Sequence, residues 1–454
     1  MADEQRGDPP DTRKPDAGTP DTRTGITDEG IAALRKRIGV PQPHPQPPWY
    51  RAPGPDAFRH VAEAAGDDNP LWSDPRYAAS TVWGGPIAPP QLNGGDTLIG
   101  ENEVAKLDPD TKALLKGDPL KGAHAYYAAS AREWWRPLRP VDYTADGSLT
   151  RRNALIAALD KTGSFAGRVV HEWTAEVFAD AAGPLSAQYR LMVRTDRRKV
   201  EKKAEAGEYD KKVELQPYTP EQLAEIDAAY AAEPAARRGA EPRWWEDVNE
   251  GDSLGPLVKG PLRVTDMVVW HTGMGMGLYG VKALRLAYQQ RQRVPGFFRP
   301  DDLNIPDVYQ RVHWDQEWAR RAGNPSIYDY GRMRETWLIH LCTDWMGDDA
   351  WLSHLDVEFR KFNYVGDTHW MLGTVTRKYL AEGGDGVQRA AVDVEIWGQN
   401  QRGEITCPGH ATMLLPSREH GPVRLPEPPG QTCQEALDAL AARVAADGGI
   451  GAHR

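Results

Sequence analysis

The chain has 454 residues, 40% apolar and 26% charged, with a formal net charge of −10; it can bury a core, and its acidic balance argues against nucleic acid or an anionic membrane as partner. No stretch approaches the roughly 20 apolar residues of a bilayer span, and three cysteines (Cys342, Cys407, Cys433) offer neither a disulfide framework nor a CxxC zinc site. The N-terminal MADEQRGDPP lacks a secretion pattern, so a reducing cytoplasm is expected, and length alone suggests about three domains at roughly 150 residues each.

Residues 1–24, rich in Pro, Asp, Gly and Thr, are expected to form a disordered tail, because they have too little apolar surface to offset ordering entropy. The block 25–196 carries a period-2 stretch in which His171, Trp173, Ala175 and Val177 alternate with Glu172, Thr174 and Glu176. Such alternation predicts antiparallel sheet with one buried and one polar face. A charged linker follows over 197–246. It opens on RRKVEKKAEAGEYDKK and continues as a short helix, with Thr219 as N-cap and Pro220 in the first turn, expected to pack on the surface.

The block 247–416 repeats the sheet pattern at Leu355, Val357 and Phe359, and again at Val392, Val394 and Ile396. It also predicts a helix over Arg332–Trp345, with Met333, Trp337, Leu338, Leu341 and Trp345 as its apolar stripe and Gly331 just before it. A basic segment with Lys282, Arg285, Arg291 and Arg293 reads as a solvated helical face. The tail 417–454 is Pro-rich and ends in a helix with Leu437, Leu440 and Val444 on one side. The two blocks echo each other: Trp72-x-Asp74-x-x-x-Ala78 aligns with His313-x-Asp315-x-x-x-Ala319, and Asp142 with Asp367. A duplicated α+β fold is expected.

The runs FRHVAEAAGDDNPLWSDPRYA and GGPIAPP, then RVHWDQEWARRAGNP, YDYGRMRETWLIHLCTDWMGDD and FRKFNYVGDTHWMLGTV, resemble MaoC-like acyl dehydratases and enoyl-thioester hydratases, the first half being like the N-terminal dehydratase domain of fatty-acid-synthase type. The resemblance covers most of 45–416. It implies a double hotdog, two curved antiparallel sheets each wrapped on a central helix. It also implies reversible water addition to a 2-enoyl thioester of coenzyme A or an acyl carrier protein, with no cofactor and no metal.

That chemistry needs a base, an acid and an oxyanion site. The resemblance implies an Asp and a His in the pattern GDxNPxHxD, with a backbone N–H at the start of the central helix, where unpaired N–H groups and the dipole favour negative charge. Here the pattern is split. Gly66, Asp67, Asn69 and Pro70 stand in the first half, but Trp72 takes the histidine's place, so chemistry there is read as lost and Asp67 remains a substrate-binding candidate. The second half keeps His313 and Asp315, but five residues before His313 stands Val308, and Asp307 is the nearest carboxylate.

Candidate catalytic residues are therefore His313, Asp307, Asp315 and Gly331, with Tyr330 and Asp329 shaping the thioester pocket. GMGMG at 273–277 lacks dinucleotide-fingerprint spacing. His340 and Cys342 read as core, and His354 and His369 lack metal-ligand partners. The rival expectations are a non-catalytic or subunit-dependent module that binds a thioester or carrier protein, and a hotdog thioesterase or tailoring enzyme. No GxSxG nucleophile elbow occurs. A homodimer or hetero-oligomer is compatible with either.

Overall fold

The computed structural model describes residues 25–42, 50, 53–92, 101–102, 107–141, 149–163, 167–196, 217–275, 281–322 and 324–447. The expected tail 1–24, Asp142 and the charge run up to residue 216 lie outside them.

The first half contributes β1 (Glu101–Asn102), β2 (Ala123–Trp134), β3 (Thr150–Gly163), β4 (Gly167–Asp180) and β5 (Gly183–Asp196). The second contributes β6 (Ser253–Lys259), β9 (Trp351–Glu358), β10 (His369–Glu382), β11 (Gln388–Asn400) and β12 (Ile405–Leu414), with a small ribbon of β7 (Phe298–Pro300) and β8 (Pro306–Val308) between. Instead of two separate sheets, the large strands form one ten-stranded sheet in the order β1-β3-β4-β5-β2-β9-β12-β11-β10-β6. Each half is a three-strand meander (β3-β4-β5 or β10-β11-β12) whose last strand pairs with the strand preceding it in sequence (β2 or β9). This shared topology is what a duplication leaves behind. The halves join through the antiparallel β2–β9 pair, where Arg132 faces Leu355 and Ser130 faces Val357.

Against the second half lies the central helix, Gly331–Met346. Its predicted stripe (Met333, Trp337, Leu338, Leu341, Trp345) packs with Leu355, Val357, Val392, Val394 and Ile396 in the main core. Its polar side is buried as well: Arg332, Arg334, Glu335, His340 and Asp344 are all 9% exposed or less. Of these, Glu335 meets the first half, bound by Arg132 at 2.9 Å and by the Ser130 hydroxyl.

The expected buried-and-polar alternation of β4 takes an unexpected form, because both its faces are covered. Trp173, Ala175 and Val177 lie under the C-terminal helix Cys433–Asp447, whose Leu437, Leu440 and Val444 are buried against them. The polar residues turn inward. Glu176, Gln188 and Arg132 sit side by side across β4, β5 and β2, on the face that meets the central helix. The linker helix Pro220–Ala236 is capped by a reciprocal Thr219–Gln222 box and lies mostly exposed, with Ile226 buried. The basic helix Leu284–Arg293 is also largely exposed. No helix among the described residues is long and apolar enough to cross a membrane.

Candidate active site

His313 closes a short 3-10 turn, Tyr309–His313, and is only 8% exposed. Its Nδ1 lies 2.8 Å from the Tyr328 carbonyl. A carbonyl can only accept, so Nδ1 carries the proton and Nε2 is the basic nitrogen. Burial pushes the imidazole down to about 4, against a smaller opposing effect of that carbonyl. The ring is neutral at physiological pH.

Around it the chain builds an aromatic stack. The Tyr330 ring lies 4.1 Å from His313 and 4.0 Å from His271, and Trp270 stacks on Tyr330 at 6.0 Å. His271, on the helix Val264–Met274, is held down to about 3 by burial and then by the nearby His313 and Arg332. Sequence reasoning passed over His271, because a single histidine inside an apolar helix carries no local signal. Tyr330 is the N-cap of the central helix and supplies no side-chain cap, its carbonyl taking the Met333 N–H at 2.8 Å, so the N-terminus of the helix at Gly331 lies beside the stack. Gly331 also has a packing reason, since a Cβ there would lie 3.1 Å from the Phe359 ring.

The carboxylates expected here are engaged elsewhere. Asp307, in β8, accepts from the N–H of Val308 at 2.7 Å. Asp315, read as orienting His313 or capping the next helix, does the latter, accepting from the Trp318 N–H at 2.9 Å at the start of Gln316–Arg321. Asp329, expected in the thioester pocket, is buried between Arg334 (3.0 Å) and the Asn363 amide (3.0 Å). Burial raises its carboxyl to about 6, and those partners restrain the rise.

The first-half motif forms a different constellation. Gly66 takes a positive φ of 72° at the turn, Asn69 caps the helix Pro70–Ser73, and Asp74 caps Pro75–Ser80. Asp67, expected to touch substrate, is 2% exposed and accepts from the Asn69 N–H and, at 2.9 Å, from the Trp72 indole. Trp72 thus serves Asp67 as a buried hydrogen-bond donor. The slot beside it, lined by Leu71, Trp72, Trp83, Trp134 and Trp351, has about 20 Å³, room for roughly one water.

His340, read as a core residue, meets Asp67 there. Its Nε2 lies 3.3 Å from Asp344, 3.6 Å from Glu233 and 3.7 Å from Asp67, while Nδ1 lies 2.8 Å from the Lys259 amine. Burial, then Lys259, pushes His340 down to about 3, and burial raises Asp67 and takes Asp344 to about 6. The i,i+4 spacing of His340 and Asp344 was legible; the arrival of Asp67, Glu233 and Lys259 from three distant segments was not.

In sequence the chain matches no family profile and no curated protein. In fold it is similar to a MaoC-like dehydratase, with a TM-score of 0.51 at 16% identity over 84% of this chain and 99% of that one. A MaoC domain protein from Chloroflexus aurantiacus follows, at 0.49 and 13% over 88% and 100%. A Mycobacterium tuberculosis protein described as a double hotdog gives 0.41 and 11% over 80% and 92%. At these identities the likeness is one of fold.

Proposed function

We propose that the chain is a double-hotdog hydro-lyase that adds water to, or removes it from, an acyl thioester, with its working site at His313, Tyr330 and Gly331. The observation that carries this reading is a buried, neutral imidazole whose tautomer is set by the Tyr328 carbonyl, placed beside the N-terminus of the central helix. In hydration, Nε2 takes a proton from water as the oxygen bonds to C3. The C2–C3 π electrons move to C2 and onto the thioester oxygen, which the first-turn N–H groups stabilise. The burial that keeps the ring neutral makes the imidazolium so formed a strong acid, and it returns its proton to C2. Bonds and protons balance with one acid–base group, consistent with Asp307, Asp315 and Asp329 being engaged elsewhere.

The substrate class is a 2-enoyl or 3-hydroxyacyl thioester of coenzyme A or an acyl carrier protein. A panel of both carriers, assayed with wild type and His313→Ala, tests the reading. Turnover should fall by roughly 10²–10⁴-fold in the variant. Equal rates for the two proteins would remove His313 from the mechanism. Those same occupied carboxylates favour one second reading, a thioester-binding module without chemistry. Binding without turnover by the wild type, across the panel, would establish it.

A further inference from the structure

We propose that Asp67, His340 and Asp344 bind a divalent metal ion of the zinc class, tying the first-half loop to the central helix. The site is independent of the hydro-lyase reading, because it uses none of that reading's residues.

Three carboxylate oxygens surround His340 Nε2 at 3.3, 3.6 and 3.7 Å. Charge-assisted hydrogen bonds run shorter, at about 2.7–2.9 Å, and Nε2 makes no hydrogen bond even though His340 is 0% exposed. A tetrahedral ion with arms of roughly 2.0–2.2 Å gives donor–donor edges of about 3.3–3.6 Å. The 3.3 Å to Asp344 falls within that range and the 3.7 Å to Asp67 lies just beyond it, both longer than a shared proton would set. Asp67, His340 and Asp344 each bring one donor atom within 4.8 Å of the others.

The far side of each of these three ligands is held by a second residue. Trp72 donates to the other oxygen of Asp67 at 2.9 Å, Arg237 to the other oxygen of Asp344 at 3.0 Å, and Lys259 meets His340 Nδ1 at 2.8 Å. Such outer partners orient ligands and fix their protonation. Metal binding requires a lone pair on Nε2, so Nδ1–H must donate to a neutral Lys259 amine. That amine is fully satisfied: it accepts from Nδ1 and donates its two N–H groups to the carbonyls of Ala65 (3.2 Å) and Gly66 (3.4 Å).

Three protein donors occupy three corners of a tetrahedron, and a water completes it.

The test is titration of chelator-treated full-length protein with Co²⁺. Binding of one equivalent, with the intense visible bands of tetrahedral cobalt and a rise in Tm, is the expected result. Affinity should drop at least tenfold in Asp344→Asn, and binding should vanish in His340→Gln. Should His340→Gln fail to fold, X-ray absorption on the wild-type Zn²⁺ form should still show one imidazole among oxygen donors. The proposal is overturned by absence of stoichiometric binding, by an octahedral spectrum, or by binding that both variants leave unchanged. Any of these would assign the cluster to a proton-linked network, with an ammonium Lys259 donating to His340.

Discussion

The proton on His313 Nδ1 and the burial of its ring set the pH behaviour of the proposed site. An imidazole depressed to about 4 is neutral through the range where an ordinary histidine titrates. As pH falls, activity should stay flat to about pH 5.5, and kcat/KM should then lose its base on an acid limb near pH 4. An acid limb near 6.5 would show that the ring is solvated. In an NMR titration its resonances should hardly move between about pH 5.5 and 8. Asp67 makes a separate case. It accepts the Trp72 indole and the Asn69 amide inside the His340 cluster, so Asp67→Asn should change turnover less than tenfold. Its cost should appear as stability, about 1–3 kcal/mol in urea unfolding for a buried polar group whose network is disturbed. A 1000-fold fall in turnover would place chemistry in the first half.

Two elements show how secondary structure takes its role from what lies over it. The C-terminal helix is an ordinary amphipathic stretch by sequence, and its partner is the apolar face of β3, β4 and β5. Leu440, 0% exposed on that helix, should cost about 2–5 kcal/mol when truncated to alanine, read by denaturation. A cost under 1 kcal/mol would mean the helix does not stay docked. The central helix meets its glycine constraint at Gly331. A Cβ there would press on Phe359, so Gly331→Ala should destabilise by roughly 1–3 kcal/mol, and Phe359→Leu should recover part of the loss. If turnover falls while stability is unchanged, the glycine serves the oxyanion rather than packing.

At the scale of the whole molecule the contacts that join the halves include β2–β9 pairing and the Arg132–Glu335 ion pair, in which both side chains are 0% exposed. Removing one partner strands the other charge, so Glu335→Leu alone should cost about 3–5 kcal/mol. Arg132→Met combined with Glu335→Leu should recover most of that, because a buried pair is little better than apolar residues of similar volume. Additive losses in this double-mutant cycle would show that the two side chains act independently.

Much of this architecture is written locally. Period-2 alternation marks β4, β9 and β11, 3.6-residue periodicity marks the central and C-terminal helices, and the halves whose motifs echo each other share one strand order. Such patterns are legible because each depends on residues a few positions apart. What covers a face is settled at long range, so the sequence could not say that β4 buries its polar side or that the central helix buries both of its sides. The candidate site divides the same way. His313, Tyr330 and Gly331 were legible as a motif beside a helix start, whereas the fates of Asp307, Asp315 and Asp329 depended on which N–H or cation each met. The acidic chain of 454 residues thus determined by itself enough apolar residues for a core, its strands and helices and their repetition. Only the tertiary structure decided that its buried charges gather at Arg132–Glu335 and around His340, because a charge taken out of water must find its partner wherever the fold brings one.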